Sequence, residues 1–193
     1  MKLKLQRHVK TVRYIIFKET LIDPKEHLLT FIGAFIGIGL ICFSDTKYLS
    51  PHDNIFLIGS FGASAVLIYG IVNSPFAQPR NLVGGHLISA LIGVTIHKLI
   101  PSELWLSCAL SVSLSIVLMQ VTKTLHPPGG ATALLANIGS PRIMALGYMY
   151  VLNPVLSGTI ILLLVALVFN NIGHRHYPNN KGWYKLRRRY KQS

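Results

Sequence analysis

The sequence predicts an all-α polytopic membrane protein with four full transmembrane helices and two broken or half-helices, six membrane segments in an internal two-fold repeat. Hydrophobic residues make up 51% of the 193 positions, and only 13% are charged, against roughly 25% in typical soluble domains. Several uncharged stretches reach membrane-spanning length. The net charge of +13 therefore does not indicate a soluble nucleic-acid-binding domain, and we expect a lipid bilayer and no nucleic acid as partners.

Four apolar stretches are long enough to cross a bilayer, since a spanning helix needs about 20 residues, with a usual range of roughly 17 to 25. They are residues 28–44, 82–99, 104–122 and 155–172. None of them contains an acidic residue. We predict a full transmembrane helix for each.

Two further apolar stretches, 55–72 and 127–152, are interrupted by glycine and proline. The interrupting residues are Gly59, Gly62, Gly70, Pro75 and Pro79 in or after the first stretch, and Gly129, Gly130, Gly139, Pro141 and Gly147 within the second. Irregular backbone is tolerated at membrane depth only where protein buries it or where it lines a water-filled cavity. We therefore expect half-helices here, and the functional site beside them. Two arrangements remain open: four membrane crossings with both interrupted stretches re-entrant, or six crossings in which both stretches go through.

Basic residues mark the two ends of the chain. Seven Lys and Arg residues precede the first apolar stretch and seven follow the last. Because positive charge marks the cytoplasmic side, both termini are predicted to be cytoplasmic. We interpret 1–27 as a basic amphipathic segment on the cytoplasmic surface, 28–174 as a single transmembrane domain and 175–193 as a basic cytoplasmic tail.

The two broken stretches resemble each other. Residues 62–67 read GASAVL and residues 130–135 read GATALL, an offset of 68. The repeat halves are then about 28–100 and 103–173. Three crossings in each half would make the repeat inverted, and two would make it parallel. The alternative is coincidence, since small residues pack helices in many membrane proteins.

The string HPPGGATAL at 126–134 resembles the signature of the HPP family of integral membrane proteins. Blocks at 59–65, 78–86, 153–155 and 170–171 are similar to family blocks and stand in the same order. Several ordered blocks make the resemblance specific. It implies an HPP-like transmembrane domain located in the bacterial cytoplasmic (cell inner) membrane. It also implies nitrite as a substrate, because some plastid and cyanobacterial relatives are associated with nitrite transport.

The residues around the broken stretches suit a small inorganic anion. A helix that begins inside the membrane presents unpaired backbone N–H groups and the positive end of its dipole, and glycine lets a ligand approach closely. Glu103 is the one acidic residue after Asp53, so the nearby bases are unopposed. We predict a substrate pathway lined by Gly62, Ser64, Arg80, Asn81, His86, Lys123, His126, Gly129, Gly130 and Thr132.

Each of these side chains also has a structural interpretation. His86 and His126 would satisfy hydrogen bonds of the broken backbone. Arg80 and Lys123 would be anchors at the membrane interface, and Asn81 would cap a helix. The sequence leaves both interpretations open.

The predicted function is a membrane transporter or channel for a small inorganic anion, with nitrite favoured by the resemblance. The alternative is a non-transporting membrane sensor or assembly subunit. Proton coupling through a histidine is a further hypothesis, since histidine titrates near neutral pH. We expect no enzymatic activity, no metal and no cofactor, because the core lacks paired carboxylates and metal-ligand clusters. Small residues on several spans predict a homo-oligomer.

Overall fold

The computed structural model describes residues 23–45 and 59–179. Most of the basic segment predicted for 1–27, the start of the first broken stretch and the tail beyond residue 179 lie outside these residues. The described ranges form seven helices, one turn of 3-10 helix at Pro75–Ala77 and no β-strand. The helices are α1 (Pro24–Asp45), α2 (Gly59–Gly70), α3 (Pro79–Leu99), α4 (Leu104–Val121), α5 (Gly129–Ile138), α6 (Pro141–Ala145) and α7 (Val151–Phe169).

Four helices in the described ranges are long and apolar enough to span a membrane, and they confirm the four predicted spans. They are α1, α3, α4 and α7. Helix α1 begins at Pro24, ahead of the apolar stretch, because the Asp23 carboxylate accepts a 3.0 Å hydrogen bond from the Lys25 backbone N–H. Helix α3 begins at Pro79, where the missing amide hydrogen of proline has no cost. The exposed side chains of Phe31, Phe35 and Phe43 on α1 suit contact with lipid.

Helices α2 and α5 are the two short apolar helices, in the stretches that glycine and proline interrupt. At 1.5 Å per residue, the 12 residues of α2 extend about 18 Å and the 10 residues of α5 about 15 Å. The hydrocarbon core of a bilayer is about 30 Å thick. Within the residues that the structure describes, neither helix is long enough to cross a bilayer on its own.

The helices pack as two groups joined through α3. Helices α3, α4 and α5 contact one another, α1 packs on α7, and α7 also contacts α3. Glycines permit the closest approaches. A Cβ atom built on Gly93 of α3 would lie 2.6 Å from the carbonyl oxygen of Ala133 in α5. A Cβ built on Gly158 of α7 would collide with the ring of Phe61 in α2. Both sites require glycine because a neighbouring helix occupies the space.

The C-terminal end of α2 is held by side chains from the other end of the domain. The helix finishes as a π-helical turn over Val66–Gly70, which leaves carbonyl groups to be satisfied. The Asn170 amide donates a 2.8 Å hydrogen bond to the carbonyl of Ile68. The guanidinium of Arg175 donates one of 2.8 Å to the carbonyl of Tyr69. The carbonyl groups of Ile68 and Tyr69 at this end of α2 are thus paired by side chains from beyond α7.

A buried ion pair joins the start of α1 to the segment after α7. The Nε of Arg175 pairs with the Oε2 of Glu26, and the two side chains are only 16% and 10% exposed. The backbone N–H of His174 donates a 3.0 Å hydrogen bond to the other carboxylate oxygen. The sequence places Arg175 among the basic residues that orient the chain. The structure adds a packing role that its position in the sequence did not indicate.

Candidate functional site

A buried polar network joins α2 and α5 to α3. We call it the histidine–hydroxyl network, and its members are Ser60, Ser64, His86, His126 and Thr132. Each of these residues is at most 1% exposed. Polar side chains at membrane depth are costly unless they are paired, so such a cluster is a site candidate.

Ser64 lies between the two histidines. Its Oγ is 2.7 Å from Nε2 of His86 and 2.9 Å from Nε2 of His126. The second nitrogen of each ring is also paired. Nδ1 of His86 lies 2.7 Å from Oγ1 of Thr132, and Nδ1 of His126 lies 2.8 Å from the carbonyl oxygen of Phe76. The ring centroids are 4.9 Å apart. Four residues predicted separately from the sequence therefore form one connected group.

Ser60 completes the network at the start of α5. Its hydroxyl lies 2.7 Å from the hydroxyl of Thr132 and donates a 3.0 Å hydrogen bond to the carbonyl of Pro128. Tyr150, the residue just before α7, supports Thr132, since its hydroxyl donates a 3.0 Å hydrogen bond to the carbonyl of Thr132. Neither Ser60 nor Tyr150 is among the pathway residues predicted from the sequence. A signal for Ser60 exists, because it lies one helical turn before Ser64 on the same face of α2.

The glycines of the predicted pathway divide into two kinds. A Cβ built on Gly129 would lie 2.6 Å from Oγ of Ser89 and 3.1 Å from the carbonyl oxygen of Gly85, so Gly129 serves close packing of α5 on α3. Among the described residues, a Cβ on Gly130 would meet only a methyl group of Val112, at 3.9 Å, and one on Gly62 would meet no atom within 4 Å. These two positions have free space beside their backbone.

Arg80, Asn81 and Lys123 lie around the loop between α4 and α5. The Asn81 amide donates a 2.7 Å hydrogen bond to the carbonyl of Leu125, and Arg80 donates one to the carbonyl of Thr122 at the end of α4. Lys123 is exposed and adopts a positive φ of 58° in the turn. The structure gives these three side chains no hydrogen bond to the histidine–hydroxyl network. Arg80 and Asn81 instead position the loop that carries His126.

The comparisons with known proteins agree with this architecture. Residues 19–178 match the family model described as HPP, transmembrane region. The chain belongs to this family. Two curated transmembrane proteins of Dictyostelium discoideum are each 44% identical to it over 160 residues, which is 81% of this chain. The match covers 56% of one relative and 51% of the other, so the chain spans about half of their length. No solved structure matches it.

The start of α5 in this HPP domain has its backbone amides paired. The first four amides donate hydrogen bonds of 2.9 to 3.3 Å to the three preceding carbonyls: the donors are Gly129, Gly130, Ala131 and Thr132, and the acceptors are His126, Pro127 and Pro128. The prediction of unpaired amides at this helix start is therefore wrong for the described conformation. The two prolines restrict the backbone of the turn, and the carbonyl groups of that turn occupy the amides.

A second polar stripe of the HPP domain faces α5 from α4. It consists of Ser107, Ser111 and Ser115, spaced four residues apart and all buried. The Asn137 amide of α5 donates a 2.9 Å hydrogen bond to Ser111. The Asn137 side-chain oxygen and the Ser115 hydroxyl are buried and have no hydrogen-bond partner in the described part of the chain. The predicted pathway does not include this stripe, although a spacing of four residues is the sequence signal of one helix face.

Few charged side chains lie near the histidine–hydroxyl network and the serine stripe of α4. In the parts of the chain that the structure describes, the hydrogen-bond partners of the two histidines are hydroxyl groups and a backbone carbonyl, and none is a carboxylate. The same parts contain no cluster of three His, Cys, Asp or Glu side chains able to hold a metal ion. The site can therefore offer hydroxyl and imidazole hydrogen bonds to a ligand.

Proposed function

We propose that this HPP domain moves a small inorganic anion across the membrane, as a transporter or channel, with nitrite as the favoured substrate. The observation that carries the proposal is the meeting of the two short apolar helices, α2 and α5, at the histidine–hydroxyl network. Ser60 and Ser64 come from α2 and Thr132 from α5, and all are linked by hydrogen bonds to one another or to His86. Half-helices that meet within a membrane domain are typical of transporter sites.

The chemistry of the network suits an anion. A hydroxyl or an imidazole N–H donates a hydrogen bond and replaces part of the hydration shell of the ion. No carboxylate contacts the network in the described residues, so an entering anion meets no like charge there. A nitrite ion would accept hydrogen bonds at its oxygen atoms without needing a formal positive partner.

The described conformation represents the closed state in this proposal. The network residues are buried and hydrogen-bonded to one another, so a substrate must replace some of these internal contacts. Gly62 and Gly130, which have free space beside their backbone, are where α2 and α5 would move or admit a ligand. The partnerless hydroxyl of Ser115 would donate to an anion that passes between α4 and α5.

We also propose the internal two-fold repeat with six membrane segments. Ser64 and Thr132 differ by 68 positions, the offset of the two repeat copies. Both are hydrogen-bonded to His86, one to each ring nitrogen. Equivalent residues that bind one central side chain are what a repeat around a common site would produce. The proposal includes cytoplasmic termini, the bacterial cytoplasmic membrane and a homo-oligomer.

The decisive experiment is nitrite flux into liposomes that contain the full chain. Flux should exceed that of protein-free liposomes, and His86→Gln should reduce it about tenfold, the equivalent of one lost buried hydrogen bond. His97→Gln is the matched control, because His97 lies on the same helix and is not part of the network. Equal flux with and without protein would overturn the proposal.

A non-transporting sensor or assembly subunit is the second candidate. The observation that favours it is the length of the two relatives, because the matched region makes up only 56% of one relative and 51% of the other. A membrane region within a longer protein can serve regulation or assembly. Absence of nitrite, nitrate and chloride flux from correctly folded protein would favour this candidate. An enzymatic role is not proposed.

A further inference from the structure

The histidine–hydroxyl network runs between two backbone carbonyl groups, and both ends of it accept hydrogen bonds. It begins at the carbonyl of Phe76 and ends at the carbonyl of Pro128. Five side chains stand between these ends, in the order His126, Ser64, His86, Thr132 and Ser60. The histidine–hydroxyl network therefore contains six hydrogen-bond contacts of 2.7 to 3.0 Å.

Six contacts need six hydrogen atoms, but the neutral network supplies five. A neutral imidazole has one N–H and each hydroxyl has one O–H. Whichever tautomers the two histidines adopt, one contact must then join two acceptors with no hydrogen between them. The Ser64 hydroxyl also lies 3.2 Å from the Ser60 carbonyl, and this further acceptor increases the shortage. A buried contact without its hydrogen is unfavourable.

We infer that the network is a binding site for one proton, held between His86 and His126 through the hydroxyl of Ser64. One added proton supplies the sixth hydrogen. With His126 doubly protonated, its two N–H groups donate to the Phe76 carbonyl and to Ser64. Each following side chain of the network then donates to the next one, and the last donates to the Pro128 carbonyl. All six contacts are then filled.

The proton can lie on either histidine with every contact still filled. Transfer from His126 to His86 moves the Nε2 proton of His126 to Ser64 Oγ while the Ser64 hydroxyl proton moves to Nε2 of His86. One N–H and one O–H bond break, and one of each forms, so atoms and charge balance. Ser64 is the relay because its oxygen is within 2.9 Å of both ring nitrogens.

Among the residues that the structure describes, no acidic group contacts the network to balance this charge. His86 and His126 face each other, and the ring of Phe61 lies 5.4 Å from His86. Helix α2 contributes two serines and α5 contributes Thr132. Tyr150, just before α7, contributes a hydroxyl that donates to the Thr132 carbonyl. A positive charge buried without a counter-ion is costly. An anion that enters the site offsets this cost.

Proton and anion binding therefore reinforce each other, and transport becomes proton–anion symport. This coupling rests on the function proposed above, whereas the one-proton site does not. The site also makes a specific prediction for Ser60. Without the Ser60 hydroxyl the network ends at Thr132 and has four contacts. The four remaining neutral side chains supply the four hydrogen atoms that these contacts need. Ser60→Ala should therefore remove the requirement for the extra proton while both histidines and Ser64 stay in place.

The test is nitrogen NMR of histidine-labelled full chain in lipid nanodiscs across pH, with His86→Gln and His126→Gln used to assign the two rings. The expected result is a single proton uptake shared by both rings. Ser60→Ala should shift this uptake downward by about one pH unit. Ser113→Ala, a serine that bonds only within its own helix, should leave it unchanged.

Two outcomes overturn the inference: both rings neutral at every pH at which the protein is folded, or two independent uptakes that Ser60→Ala does not move. Nitrite flux with and without an inward proton gradient is the second measurement. Shared proton uptake without any flux would contradict the transport proposal and keep the proton site. Flux that ignores the gradient, together with two neutral rings, would keep transport and remove the site.

Discussion

Asn81 holds the backbone of Leu125 through a 2.7 Å hydrogen bond from its side-chain amide to the Leu125 carbonyl. This contact ties the loop that carries His126 to the helix that carries His86. The packing of His126 against Gly85 strengthens the same connection, because a Cβ on Gly85 would collide with the Cβ of His126. The geometry of the histidine pair thus depends on a residue outside the pair.

Asn81→Ala should destabilise the protein by about 1 kcal/mol, the usual contribution of one intramolecular hydrogen bond. It should also lower nitrite flux, since His126 loses its fixed position. Thermal unfolding of purified protein measures the first effect, and liposome flux measures the second. Gln120→Ala, at an exposed amide of α4, is the control. Equal melting temperatures for the Asn81 variant and wild type would contradict the prediction.

Gly129→Ala and Gly130→Ala should behave differently although they are neighbours. The methyl group at 129 would press on Ser89 and Gly85, and overpacking of this kind costs about 1 to 3 kcal/mol. The methyl group at 130 has space, and alanine favours helix over glycine by roughly 0.5 to 1 kcal/mol. Thermal unfolding in detergent should therefore show a lower melting temperature for the first variant alone. The reverse order would refute the packing assignment.

Glu26→Gln should destabilise the protein by about 3 kcal/mol or more, because it leaves the buried Arg175 guanidinium without its carboxylate. Glu103→Gln makes the same chemical change at an exposed residue and should have little effect. The readout is the unfolding midpoint of each variant in the same detergent. Similar midpoints for the two variants would show that the ion pair does not stabilise the fold.

Ser111→Ala and Ser115→Ala make the same change one turn apart on α4. The first removes the hydroxyl that accepts a hydrogen bond from Asn137 and should cost about 1 kcal/mol. The second removes a buried hydroxyl without a partner, so stability should be unchanged or higher. If an anion passes Ser115, its variant should lose flux without losing stability. A stability loss at Ser115 equal to that at Ser111 would count against the assignment.

The four spans and the two interruptions could be predicted because they depend on composition over a window. An apolar stretch must match the bilayer in length, and glycine and proline disturb the helix wherever they stand. His86, His126, Ser64 and Thr132 could be selected for a similar reason, since polar residues are rare in such stretches. The string HPPGGATAL at 126–134 also indicated the family, which the match over residues 19–178 confirms.

The contacts that join distant positions could not be predicted in this way. Ser60 and Thr132 are 72 residues apart, and Glu26 and Arg175 lie at opposite ends of the domain. Gly129 and Gly130 look alike in the sequence, yet a neighbouring helix fills the space beside one and not the other. The pairing of the α5 amides was missed because it depends on where the carbonyls of the preceding turn point.

The amino-acid order thus determines that this chain is a helical membrane domain of the HPP family, with polar residues at its two broken segments, because apolar length and residue type act locally. The three-dimensional packing determines that four of those residues and Ser60 form one buried chain of hydrogen bonds. Hydrogen-bond geometry acts over about 3 Å between atoms, and only the folded arrangement of α2, α3 and α5 brings those atoms together.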